Sequence, residues 1–324
     1  MSRALHESAV LEVEPANSDF LSEVLVGLSR TPRTLPCKFF YDARGAALFQ
    51  KICELPEYYI TRTELQILQD NRAEIASQLG ENIELIGLGT GAGTKTRILL
   101  EKLREPAAYI PVDISDKQLQ ESSELFRRIF PSLEILPVCA DYLQPFTIPS
   151  PQRAPSRKVV YFPGSTIGNF EPSSAAAFLR RIVDHSGKGG GLLIGVDLQK
   201  NRQIIERAYN DNAGVTAEFN LNLLVRANRE LGANFDISHW RHQAIYNSAE
   251  GRIEMYLISA LDQTVRIQDR QLQFAAGEKI ITEYSYKHSR EGFIAMAAST
   301  GFSFERFWTD DAQLFGLFYF TVKL

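Results

Sequence analysis

The sequence predicts an α/β protein, a parallel sheet with helices on both faces joined to a second, α+β lobe. Three observations carry this. From Ile83 to Asp197 strand-like apolar runs alternate with helical stretches, the pattern of a parallel sheet. The first run, Ile83–Leu88, meets four glycines (Gly87, Gly89, Gly91, Gly93) before a helix, which is the order strand, tight turn, helix. After Leu198 the alternation stops, and two helical stretches precede a series of strand-like runs.

Taken in order, residues 1–16 read as a loose arm. Ser18 or Asp19 can cap a helix with apolar positions Leu21, Val24, Leu25 and Leu28. An aromatic-rich connection, Leu35–Asp42, leads to a short helix through Leu48, Phe49 and Ile52, broken at Leu55-Pro56. Thr61 to Glu64 has the capping-box form and opens a helix to about Leu79. Beyond the glycine turn a helix covers Thr94 to Lys102, and Tyr109–Asp113 is a second strand. Ser115 with Gln118 opens the next helix, and Leu133–Cys139 is the third strand. A proline-rich loop, 144–157, precedes the strand Lys158–Phe162, a helix over Ser173–His185 and the strand Leu192–Asp197. Residues 198–285 carry helices at Asn201–Tyr209 and Val215–Leu231. Strands there are expected at His242–Tyr246, Arg252–Ala260, Thr264–Gln268 and Lys279–Thr282. A helix over Arg290–Thr300 and strands Phe302–Trp308 and Leu317–Val322 would close the first sheet with an antiparallel hairpin.

Composition narrows the function classes. At 324 residues with a net charge of −4, the chain has no basic surface of the size that nucleic-acid binding needs. No apolar run reaches the ~18 residues of a membrane span. The N-terminal stretch lacks a signal-peptide core, and Cys37, Cys53 and Cys139 show no metal-like spacing, so a reducing cytoplasm is expected. His239 and His242 are close but read as a solvated pair, and no metal is expected. The protein is expected to act as a monomer on a small molecule.

The chemistry-bearing residues fall at strand ends. Asp113, 24 residues after Gly89, can accept hydrogen bonds from both ribose hydroxyls of an adenosine ligand. Asp141 and Tyr142 offer a partner for an exocyclic amine and a ring for a base face. Lys95, just inside the helix, offers a cation to a ligand carboxylate. Gly89, Gly91 and Gly93 give G-x-G-x-G rather than the G-x-G-x-x-G of nicotinamide enzymes. Together these favour S-adenosyl-L-methionine over NAD.

Leu55-Pro56-Glu57-Tyr58-Tyr59-Ile60-Thr61-Arg62-Thr63-Glu64, Gly164-Ser165-Thr166-Ile167-Gly168-Asn169, Ile253-Glu254-Met255 and Thr282-Glu283-Tyr284-Ser285 resemble the histidine-specific Nα-methyltransferases of ergothioneine biosynthesis. The resemblance runs from about residue 25 to the C-terminus. It implies a Rossmann-like class I methyltransferase sheet with a second α+β substrate-binding lobe. The S-adenosylmethionine-binding domain would be 61–197 and 286–324, and the substrate-binding domain 17–60 and 198–285. It further implies Nα-trimethylation of L-histidine to hercynine, the first step of ergothioneine biosynthesis. By the same resemblance Tyr41, Gly89, Lys95, Asp113, Asp141 and Tyr142 contact the methyl donor. Tyr58, Asn169, Tyr209, Met255, Glu283 and Ser285 surround the amino acid, with Tyr41, Tyr58 and Asn169 at the reacting nitrogen. Gly87 stands where the family usually has an acid.

Each residue also has a plainer reading. Tyr58, Tyr209 and Met255 could be packing, Asn169 could cap the helix near Glu171, and Glu283 could be a solvated edge residue. Open alternatives are an Nα-methyltransferase of another amino acid or an aromatic amine such as tryptophan, a non-catalytic adenosine-ligand binding module and an NAD-dependent dehydrogenase.

Overall fold

A computed structural model describes residues 11–12, 19–89, 91 and 93–323. The N-terminal part carries β1 (Leu11–Glu12), α1 (Asp19–Leu28), β2 (Arg33–Thr34), α2 (Ala43–Glu54) and α3 (Tyr59–Leu79). The alternating part follows with β3 (Ile83–Leu88), α4 (Thr94–Leu100), β4 (Ala108–Asp113), α5 (Asp116–Ile129), β5 (Glu134–Ile135) and β6 (Val138–Cys139). It continues through β7 (Arg157–Phe162), α6 (Pro172–Ser186) and β8 (Gly191–Asp197). Next come α7 (Arg202–Tyr209), α8 (Val215–Leu231), β9 (Trp240–Asn247), β10 (Arg252–Ser259), β11 (Gln263–Ile267), β12 (Arg270–Phe274) and β13 (Lys279–Tyr286). The chain ends with α9 (Arg290–Ala298), β14 (Phe302–Thr309) and β15 (Phe315–Val322).

The main sheet runs β1-β6-β4-β3-β7-β8-β15-β14, with β5 beside β4. All pairs are parallel except β15 with β8 and with β14. Strand β3 is buried throughout because helices cover both faces. Ile83 and Leu85 enter one core, while Ile86 and Leu88 enter the other. The chain leaves β3 toward β4 on one side and returns to β7 on the other, so the crevice for a ligand opens at the carboxyl ends of these strands.

A smaller sheet, β2-β13-β10-β9, joins the N-terminal segment to the later insertion. Asp42 ties the two together. It caps α2 through the Gly45 N–H at 2.7 Å and accepts from Asn222 and Arg229 of α8 at 2.7 and 2.6 Å.

Several expectations needed correction. Within the supposed loose arm, Leu11–Glu12 pair with β6 at the sheet edge; residues 1–10 and 13–18, including Ser18, lie outside the described residues. Helix α3 starts at Tyr59, and Glu64 does not box its N-terminus but is buried and turned toward the main sheet. The third strand divides at Leu136-Pro137, since proline has no N–H to give a ladder. Strand β12 carries no strand signal in the sequence, because its residues are mostly polar and exposed. Strand β13 runs four residues beyond Thr282, carrying Glu283 and Ser285 with it.

Candidate active site

The crevice is built first by its backbone. Gly89 follows β3 with φ at +59° and donates its N–H to Val112 O at 2.9 Å. A side chain there would be strained and would meet the Tyr142 ring at 3.4 Å, so glycine keeps the floor open. Asp113 ends β4, and the Ser115 N–H donates to its carboxylate at 3.0 Å. Burial pushes this carboxyl above the usual range, although the N–H groups of Ser115, Gly91 and Ile114 oppose it. Asp141 accepts the Leu143 N–H at 2.8 Å, and Tyr142 stands edge-on to Phe162 with ring centroids 5.6 Å apart.

Lys95 is not the unpaired cation that its position implied. It ion-pairs with Glu64, whose carboxylate also accepts the Gly164 N–H at 2.9 and 3.1 Å. A side chain at Gly195 would collide with Glu64 Oε1, so that glycine is what lets the carboxylate lie over β8. The pair holds the ammonium beside the Gly164 turn while leaving Lys95 20 % exposed.

Beyond Tyr142 a cavity of about 190 Å³ reaches between the two sheets. Tyr41, Tyr58, Asn169, Tyr209, Met255, Glu283 and Ser285, the residues expected around the amino acid, all line it together with Asp141 and Tyr142. Gly89, Lys95 and Asp113 lie outside this lining. Met255 of β10 faces Glu283 of β13 in register, and the pairing slips by one residue just after Met255. Alternation puts Ser285 on the face of Glu283. Tyr58 stands at the start of α3, edge-on to Tyr209 at 6.3 Å. Asn169 ends a short 3-10 turn and does not cap α6, where the cap position is Glu171. Its side-chain amide has no partner among the described residues. Ser165, in the same turn, holds a left-handed conformation that its hydroxyl secures by accepting the Asp197 N–H at 2.8 Å.

Burial pushes the Tyr58 and Tyr209 phenols up, so both stay neutral near pH 7 and act as hydrogen-bonding groups rather than bases. Burial also raises the Glu283 carboxyl to about 7, with Lys287 opposing. Behind these residues lies a buried polar cluster. Asp197 pairs with Lys200 and, at 2.8 Å, with Lys287, and it accepts the Tyr59 hydroxyl at 2.8 and 2.9 Å. Burial works to raise Asp197, but the two ammoniums outweigh it and hold its carboxyl below the usual range.

Some lining residues were not anticipated. Phe49 and Phe219 complete an aromatic wall with Tyr41, at centroid distances of 5.5 and 5.8 Å. Thr216 lines the same cavity, on a helix start where the Val215 and Thr216 N–H groups donate to Asp211 at 2.8 Å. Their local sequence looks like ordinary helix, and only packing brings them here. Among the described residues no group of His, Cys, Asp or Glu could hold a metal, and no helix is long and apolar enough to cross a membrane.

A parallel sheet closed by an antiparallel hairpin, with acids at successive strand ends around a glycine turn, defines a Rossmann-like class I methyltransferase. The donor for that class is S-adenosyl-L-methionine, and the open floor at Gly89, the Asp113 carboxylate and the Asp141-Tyr142 wall suit its adenosine. Residues 20–322 match the family described as "Histidine-specific methyltransferase, SAM-dependent", and the chain belongs to that family. A histidine N-alpha-methyltransferase of Mycolicibacterium smegmatis is 42% identical over 313 residues, 95% of this chain and 96% of the relative. One from Mycobacterium tuberculosis is 41% identical, covering 91% and 92%. Ergothioneine biosynthesis protein 1 of Neurospora crassa is 31% identical over 86% of this chain but only 32% of its own length.

Proposed function

We propose that the protein moves methyl groups from S-adenosyl-L-methionine to the α-nitrogen of L-histidine, three times, giving hercynine as the first step of ergothioneine biosynthesis. The observation that carries this reading is the Glu283/Ser285 pair. An acceptor-only carboxylate and a hydroxyl share one strand face in a cavity that runs to Asp141 and Tyr142. An imidazole, with one donor and one acceptor nitrogen, matches that pair, whereas an indole would leave one side unanswered. In this reading residues 17–60 and 198–285 form the substrate-binding domain and 61–197 with 286–324 the donor-binding domain, with Asn169 and Tyr41 each reaching across to the other's ligand.

Bound S-adenosylmethionine supplies an electrophilic sulfonium methyl. Asp113 takes the ribose hydroxyls, Asp141 and Tyr142 take the adenine, and Tyr41, Gly89 and Lys95 complete the donor site. Asn169 and Tyr209 hold the amino acid's amino and carboxylate ends, and Met255 shapes the ring slot. Tyr41, Tyr58 and Asn169 orient the nitrogen, which must present a neutral lone pair. Positioning of this kind supplies up to ~7–11 kcal/mol in well-oriented systems. As methyls accumulate, the ring faces of Tyr41, Tyr58 and Phe49 favour the fixed cation by ~0.5–2 kcal/mol each.

Mass spectrometry of the protein with S-adenosylmethionine and a panel of amino acids tests this. Mono-, di- and trimethylhistidine should accumulate in succession. Product from tryptophan but not histidine, or stoppage at one methyl, would overturn the substrate or the trimethylation respectively.

A further inference from the structure

The alternation that pairs Glu283 with Ser285 does not stop there. Lys287, the next residue on that face, is fully buried just past the end of β13. Its ammonium has three hydrogens and uses each. One goes to Asp197 Oδ2 at 2.8 Å, one to Ser285 Oγ at 2.8 Å and one to Tyr209 Oη at 3.0 Å. We propose that Lys287 is a positioning residue for the substrate: anchored by Asp197, it occupies acceptor sites on Ser285 and Tyr209 and so turns both hydroxyls into donors facing the amino acid.

The argument is one of hydrogen-bond capacity. An ammonium can only donate, so each hydroxyl must receive from it. The two hydroxyl oxygens are also 2.9 Å apart, close enough for one to donate to the other. When they are bonded together, at most one proton remains for a ligand. When a ligand brings two acceptors, a carboxylate and an unprotonated ring nitrogen, both protons can swing out while Lys287 still holds both oxygens. A buried positive charge behind them strengthens such bonds to an acceptor and disfavours a cationic ring on that side. Asp197 is what keeps this charge in place, and it belongs to the main sheet, so the substrate-facing hydroxyls are registered to the donor-binding half of the molecule.

Glu283 shares the cavity. The groups facing it are Cys37, Tyr41, Tyr58 and Tyr209, together with Lys287. Burial pushes the Cys37 thiol up to about 12, and the phenols lie higher than usual, so Lys287 is the one of these that is charged near neutrality. Its removal frees the Glu283 carboxyl to hold its proton to higher pH.

The inference rests on histidine being the substrate, and the test separates the two. Lys287→Met is assayed by calorimetry with histidine and with S-adenosylhomocysteine, and by kcat/KM for histidine against pH. Asp197 keeps Lys200 and Tyr59 as partners in this variant. Histidine affinity should fall by about 10- to 100-fold, the range of a charge-assisted hydrogen bond, with S-adenosylhomocysteine affinity within about twofold of wild type. The acid limb of the profile should move up by on the order of 1 pH unit. A role in packing alone would not move that limb, and the substrate's own titration is common to both proteins. Should Lys287→Met fail to fold, Lys287→Gln, nearly isosteric but uncharged, carries the same comparison. Equal histidine affinity and an unmoved limb, or parallel loss of both ligands, would overturn the role of Lys287. Wild-type protein that neither binds nor methylates histidine would instead overturn the substrate assignment, before any variant is compared.

Discussion

Single carboxylates carry the sharpest consequences. Asp113 is half-buried at the end of β4, where the proposed donor site puts the ribose, and a carboxylate accepting two hydroxyls makes charge-assisted bonds. Asp113→Ala should weaken S-adenosylmethionine binding by ~2–4 kcal/mol, measured by calorimetry. Glu283 is costly to the unliganded fold. Burial raises its carboxyl to about 7, so the folded state binds its proton more tightly than the unfolded chain does. Ionising it therefore lowers stability as pH rises from the ordinary glutamate range to about 7, and the loss is complete above that. Glu283→Gln should accordingly raise stability by about 1–3 kcal/mol at pH 8 and little at pH 4, while lowering kcat/KM for histidine by ~10²-fold or more. Denaturant titration at both pH values, with the histidine-to-tryptophan rate ratio, checks this; equal stability change at both would exclude the buried carboxylate. Glu283 was legible from the sequence through its motif. Glu64 was not, because Thr61-x-x-Glu64 satisfies a local capping rule and nothing local shows that its carboxylate meets Lys95 and Gly164.

Among elements, α2 depends on a partner far away in sequence. Asp42 caps it, but the same carboxylate takes Asn222 and Arg229 from α8. Asp42→Ala removes the cap and strands the Asn222 amide in a buried position, so a loss of about 2–3 kcal/mol is expected. Thermal or urea unfolding measures it, and a loss under 0.5 kcal/mol, as for an ordinary surface residue, would show the contacts to be incidental. The periodic elements could be read almost to the residue. Val215–Leu231 is a helix over the span its apolar spacing indicates, and β7 and β8 begin one residue early. Errors gather where periodicity is weak: polar β12, and the far end of β13 where polar site residues break the apolar run.

The whole molecule is held at the seam between its sheets by Asp197, Lys200, Lys287 and Tyr59, with Leu198 bridging His288 beside them. Breaking a buried ion pair from one side leaves charge without a partner. Asp197→Ala should then destabilise the fold by ~3–5 kcal/mol, more than a core truncation of similar size, and should lower histidine affinity as well. Guanidinium unfolding against Asp197→Asn, which keeps polar contact without the charge, gives the comparison. A difference below about 1 kcal/mol from wild type would show that the seam is held elsewhere.

By itself the sequence determined the long strands and the helices of the main sheet, the glycine turn and the acids at its strand ends, because periodicity, glycine and chain order are local properties. Tertiary structure alone decided which groups those residues face. Lys95 meets Glu64 across 31 residues, Lys287 reaches Asp197 and Tyr209 from just past the insertion, and Phe49 and Thr216 arrive at one cavity from separate helices. Burial and charge pairing belong to the folded surroundings rather than to any residue. The chemistry of Glu283 and Lys287 therefore exists only once the two sheets close on each other.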